Sequence, residues 1–179
     1  MKSITIYALL LAFTFFACDN PEDLADVNFN VVLTKTLPVA VITTNEMTTS
    51  VILEATTDPE ILKYADKIKR YEITELTFAI ENYSSPTTAE IYFDGEIGFS
   101  KKTQNEATTS CSISPLNITH VAATGPFPIS TCNDILDGIS AVFLADNAVK
   151  MYMTGTFTKE PVTFDLVVSA KVKITANPL

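Results

Sequence analysis

The sequence predicts a mainly β protein, an antiparallel sandwich-like domain with two short helices. Three observations carry that expectation. Apolar and polar residues alternate along several segments, Thr and Val are abundant in them, and one face of each segment is apolar while the other is polar. Strict alternation belongs to half-buried strands, β-branched residues suit the pleated surface, and a polar outer face is typical of antiparallel sheets. Two such sheets stacked face to face make a sandwich.

The strands follow in order. Residues 27–36 place Val27, Phe29, Val31 and Leu33 against Asn28, Asn30 and Thr34, and a second apolar run, Val39 to Ile42, follows Pro38. Residues 49–56 continue with Val51, Leu53 and Ala55. Between Tyr71 and Tyr83, Leu76, Phe78 and Ile80 face inward while Thr77, Ala79 and Glu81 face out. Across 87–99, Ala89, Ile91, Phe93, Ile97 and Phe99 share one face and Glu90, Tyr92, Asp94 and Glu96 the other. The last two strands read as a hairpin: Val149, Met151, Met153 and Phe157 alternate up to Lys159-Glu160, and Val162 to Ile174 alternate back.

Two helices interrupt the strands. Asp58-Pro59-Glu60 supplies an N-cap, a proline at the first helical position and an acid in the first turn. Ile61, Ala65 and Ile68 then share a face, and Lys67, Lys69 and Arg70 suit a helix C-terminus. The second helix starts at Thr131, whose spacing to Asp134 resembles a capping box, and continues through Ile135, Ile139, Val142 and Phe143. Gly138 weakens it, and a strand over Ile139–Leu144 is the alternative. Residues 100–130 read as a long loop broken by Pro115, Gly125, Pro126 and Pro128; loops of that length tend to be functional or disordered.

The start of the chain sets an address. Residues 1–17 hold Lys2, an apolar run from Ile4 to Phe16, and Ala17 before Cys18; the acidic stretch DNPEDLAD follows. The run falls short of the about 20 apolar residues that span a membrane. An ordinary secretory signal prefers small residues at both positions of A-x-A, and Phe15 is bulky. The Ala17-Cys18 junction resembles a bacterial lipoprotein signal, and its FFAC form looks like those of Bacteroidota. The resemblance implies that residues 1–17 are removed and that Cys18 is lipidated; the charged, Pro-containing residues 18–26 read as a flexible acidic tether. It also implies the outer membrane, periplasmic or surface-facing, as the location. Acids after the cysteine resemble a surface-export signal, whereas Asp19 beside it resembles an inner-membrane retention signal. Plain secretion is the alternative. Residues 27–179 are left as one β-rich domain, and about 160 residues are enough for a real core.

With Cys18 lipidated, Cys111 and Cys132 remain as a pair in an oxidising compartment, where a disulfide is the default and two buried free thiols the alternative. The formal net charge of −9 argues against a nucleic-acid partner, because phosphate binding needs clustered Lys and Arg. It also argues against electrostatic docking on anionic lipid.

Little in the sequence points to catalysis. His120 is the one histidine; no His/Cys cluster, EF-hand loop or glycine-rich phosphate cradle accompanies it, so no metal or cofactor is expected. A Ser-His-Asp arrangement stays open without a local motif in its favour. Asp94 and Glu96 share a solvated strand face, where they are candidates for calcium or a glycosidase pair, or simply form a charged face that discourages edge pairing. Asp134 and Asp137 fall in a first helical turn, where acids are stabilising anyway. Trp is absent, which weakens a sugar-binding reading, and Tyr92, between Glu90 and Asp94, is the best single contact residue.

The stretches DPEILKYADKIKRYEITELTFAIENY, residues 58–83, and VKMYMTGTFTKEPVTFDLVVSAKVKITANPL, residues 149–179, look like segments of small Bacteroidota envelope lipoproteins. The resemblance implies a β-sandwich-like lipoprotein and brings no catalytic residue with it. The expectation is a non-enzymatic, membrane-tethered envelope protein that binds a ligand or supports an assembly, its partner a small molecule or another envelope protein. Two alternatives stand beside it. One is a lipid or apolar-ligand carrier with an internal cavity. The other is a calcium-dependent binder or hydrolase using Asp94, Glu96 and His120 in the 100–130 loop.

Overall fold

The computed structural model describes residues 26–177, apart from the side chain of Ser114. Cys18 and residues 1–25 lie outside the described residues. Among the described residues eight strands form: β1 (Val27–Val41), β2 (Glu46–Glu54), β3 (Ile68–Ser84), β4 (Tyr92–Ser100), β5 (Thr109–Asn117), β6 (Phe127–Pro128), β7 (Ala148–Phe157) and β8 (Val162–Ala176). Every pairing is antiparallel. One sheet has the order β1-β8-β3-β6 and the other β2-β7-β4-β5, which is the double Greek key of a jelly roll. The mainly β, antiparallel sandwich that the alternation predicts is the fold.

The inward faces make one hydrophobic core. Val162, Phe164, Leu166, Val168, Ala170, Val172 and Ile174 of β8 are all buried, at every second position. The sheets meet through aromatic rings: Phe157 lies 5.1 Å from Phe93 and edge-on to Phe164 of the opposite sheet at 6.0 Å. At the centre, the space lined by Leu53, Leu76, Phe99, Phe143 and Met151 has a volume of about 10 Å³. That is no more than a single water needs.

β3 shows how a bulge rescues an awkward pattern. Tyr71 and Ile73 face inward at odd positions, but Leu76, Phe78 and Ile80 do so at even ones. A register shift between Ile73 and Glu75 absorbs the change of phase. Ser140 accepts the Ile73 amide at 3.0 Å and donates to Leu136 O at 2.8 Å, so the bulge leaves this buried amide paired.

Several expectations change. Residues 149–157 and 162–174 are not a hairpin: β7 pairs with β2 and β4, and β8 with β1 and β3, so residues 158–161 cross between sheets. Alternation reveals a strand's buried face and says nothing of its neighbour. The run after Pro38 continues β1, because among the described residues β1 is an edge strand paired only with β8 and tolerates a proline.

Helix α1 (Pro59–Lys63) has the predicted cap, with Asp58 Oδ1 accepting from Glu60 N at 2.8 Å and Ile61 N at 3.2 Å. It stops early. A 3-10 turn over Ala65–Lys67 follows, and Ile68, Lys69 and Arg70 belong to β3, where Ile68 and Arg70 pair with β8. Strand pairing overrides the helical spacing.

The 100–130 segment is not a structureless loop. It holds β5, helix α2 (Ile118–Thr124) and β6. Alternation was present there, but small polar residues disguised it: Cys111 and Ile113 are buried and Ser112 is exposed. The Cys111–Cys132 disulfide forms, with a Cα–Cα separation of 5.3 Å. The second expected helix begins as a 3-10 turn, Ser130–Ile135, and becomes helix α3 (Leu136–Asp146). Neither start is capped by a side chain, so the Thr131–Asp134 box does not form. Ile139, Val142 and Phe143 are buried as the spacing predicts.

The sandwich has two unlike ends. At the base, Val27 and Ile68 flank Ala176, and Asp26 pairs with Lys69 at 3.0 Å, so residue 26 is tied to the fold. At the tip lie the 42–45 turn, residues 85–91, the 158–161 crossing and the start of α2. β1 runs the whole way, a distance of about 45 Å.

Candidate functional site

The predicted contact residues gather at the tip in two adjoining groups, one reaching from β4 to β5 and α2, the other running from β4 across β7 to β2. Tyr92 and Asn117 pair across β4 and β5. The Tyr92 hydroxyl donates to Glu90 Oε2 at 2.6 Å. Asn117 Oδ1 caps α2 by accepting from His120 N at 2.9 Å, and the Asn117 side chain also bonds Glu90. The hydrogen bond from Tyr92, then that of Asn117, and the nearby His120 charge hold the Glu90 carboxyl below its ordinary value. The same Glu90 bond raises the Tyr92 phenol. His120 was expected in a loop; it sits exposed on α2.

Asp94 belongs to the second group. Glu46 of β2, Thr156 of β7 and Asp94 of β4 form one row across three strands, all exposed. With Thr44, Asn45 and Thr158 they line a groove whose floor is buried Phe157. Thr158 Oγ1 accepts from Tyr92 N at 3.0 Å, and Thr158 N donates to Tyr92 O at 2.9 Å, which fixes Tyr92 beside the groove. Glu96 stands in the next row, with Thr48 and Thr154, whose hydroxyls are 3.2 Å apart. Asp94 and Glu96 thus share an outer face as predicted, but His120 lies beyond β5. Among the described residues no three His, Cys, Asp or Glu side chains converge as a metal cluster.

Gly95 and Gly155 make this row possible. A Cβ on Gly155 would lie 2.5 Å from Asp94 O and 2.7 Å from Gly95 Cα, and one on Gly95 would lie 2.3 Å from Thr154 O. Any side chain there pushes β4 and β7 apart.

Sequence reasoning missed Glu46, Asn117 and Thr156, because cross-strand neighbours are invisible without the strand order. Glu90 was legible as the i−2 neighbour of Tyr92 on one face. Two asparagines have local tasks: Asn117 caps α2, and Asn82, at φ 51°, donates to Asp165 Oδ2 at 2.7 Å.

No protein-family model matches the chain, and no curated protein matches it. Among solved structures, the chain is similar to that of Desmodium yellow mottle tymovirus at 9% identity, over 90% of this chain and 86% of that one, with a TM-score of 0.36. For turnip yellow mosaic virus the figures are 11%, 86%, 96% and 0.38. For a decameric BFDV capsid protein they are 10%, 83%, 99% and 0.40. The strand order stands on its own hydrogen bonds.

Proposed function

We propose that this chain is a non-enzymatic binding protein of the bacterial envelope, anchored through lipidated Cys18 and engaging a ligand with its tip. The observation that carries this reading is the separation of the two ends. Residue 26 enters at the base beside Lys69, whereas Glu90, Tyr92, Asp94 and His120 lie about 45 Å away along β1. A tether of this kind presents the tip outward and leaves the anchor at the base. The buried disulfide supports an oxidising compartment. An outer-membrane location follows from the Bacteroidota-like FFAC junction.

The filled centre favours an external binding surface over an internal carrier cavity, since ligand pockets run from about 300 Å³ upward. Metabolic labelling with an alkyne fatty acid in a Bacteroidota host tests the anchor. Label is expected on the wild-type chain, with label lost and the protein released to the soluble fraction in Cys18→Ser. An unlabelled, soluble wild-type chain overturns the reading.

A further inference from the structure

We infer that the tip groove over Phe157 is a binding site for neutral, polyhydroxylated ligands, that is, carbohydrate. This deepens the proposed binding role and rests on it only for the site's outward presentation. The groove's chemistry selects the ligand class. Its wall mixes groups that only accept (Asp94 and Glu46), groups that donate and accept (Thr44 and Thr156), and the Asn45 amide. Sugar hydroxyls need that mixture, donating to the carboxylates and receiving from the rest. No other side chain of the described residues claims either carboxylate, so both are available as acceptors.

Asp94 and Glu46 are two strands apart, about 10 Å at the backbone, and among the described residues no third His, Cys, Asp or Glu joins them as a metal cluster. A span of that size suits a ring with hydroxyls on two sides. Tyr92 adds the aromatic surface. It shares the outward face with Asp94 two residues away, is bound to Thr158 through its backbone, and is held by Glu90 at its hydroxyl. A ring restrained at both ends offers a fixed apolar face to the C–H side of a sugar. The acids at the tip (Glu46, Glu81, Glu90, Asp94, Glu96) outnumber the bases, which disfavours anionic glycans and restricts the class to neutral ones.

The full chain in detergent micelles, disulfide intact, is run through native gels cast with amylopectin, xylan or mannan, and is separately titrated with spermine and with calcium chloride. Retardation by at least one polysaccharide is expected. Asp94→Asn and Thr156→Val are each expected to weaken it about tenfold. Tyr92→Ala is expected to abolish it, and Glu75→Gln, on the other sheet, to leave it unchanged. Circular dichroism confirms that each variant is folded, and Tyr92→Phe, which keeps the ring, should retain most of the retardation. Unchanged migration in all three gels overturns the inference, as does binding confined to spermine or calcium. Retardation by a chain found to lack lipid on Cys18 defeats the anchoring alone; a lipidated chain that no polysaccharide retards defeats the groove alone.

Discussion

On the outer face of the β1-β8-β3-β6 sheet the charges close on one another; on the β2-β7-β4-β5 sheet they are left open. Lys171 meets Glu75 at 2.6 Å, Glu72 lies 3.5 Å from Arg70 and 4.0 Å from Lys173, and Lys69 holds Asp26. Across the sandwich Glu46, Asp94 and Glu96 stand among threonines, and Lys150 turns onto the Tyr152 ring at 4.9 Å. Exposed ion pairs contribute about 0–1 kcal/mol each, so the contrast is scarcely one of stability. It is one of availability: a carboxylate already paired must give up its partner before it can receive a ligand's hydroxyl.

Substitutions on the two sheets put that contrast to the test. The largest effect belongs to the residue both sheets share. Phe157→Ala removes the ring that joins Phe93 to Phe164 and should cost about 4 kcal/mol in urea unfolding, with both sheets lost in a single transition. Separate transitions would mean that the sheets are independent. Replacing Cys111 and Cys132 by Ser should cost about 3 kcal/mol and lower the melting temperature of the oxidised protein. Gly155→Ala should cost about 2 kcal/mol, since its Cβ collides with β4 backbone, and should disturb the groove while sparing the opposite sheet. Amide exchange read strand by strand checks the last point.

Tyr71 donates to Asn147 Oδ1 at 2.8 Å, and burial pushes its phenol up to about 12. Below pH 10 the group is neutral in both folded and unfolded chains. Between pH 10 and about 12 only the unfolded chain ionises there, so this residue makes stability fall as pH rises. Tyr71→Phe should lose about 1 kcal/mol at pH 7 and show a shallower decline above pH 10. The smallest effects test the contrast itself. Glu75→Gln should cost at most about 1 kcal/mol, and the loss should shrink in high salt, whereas Asp94→Asn should be neutral or slightly stabilising. Equal losses on both faces would erase the distinction.

The inward residues of the strands were legible because alternation is a one-dimensional record of a two-sided surface. Leu76, Phe78 and Ile80, and the whole of β8, show it. The Asp58 cap was legible because its partners lie two and three residues away. The hairpin between β7 and β8 was misread because nothing local distinguishes a turn within a sheet from a crossing between sheets. Likewise Tyr92 and Asp94 were found, since both stand on one strand, while Glu46 and Thr156 join them only through the register of two further strands. In the 100–130 segment, serines and prolines hid β5, and only its cysteine carried a signal that the structure uses.

The placement of β7 and β8 also dictates when this protein can fold. Each occupies an interior position of its sheet, β7 between β2 and β4, β8 between β1 and β3. Residues 148–176 therefore supply interior strands of both halves, and they are synthesised after every strand they must join. Until they emerge, β1 and β3 have no common neighbour and β2 has none at all. Assembly waits on the final segment and then closes both sheets together, through contacts that are almost all distant in sequence and hence slow to form.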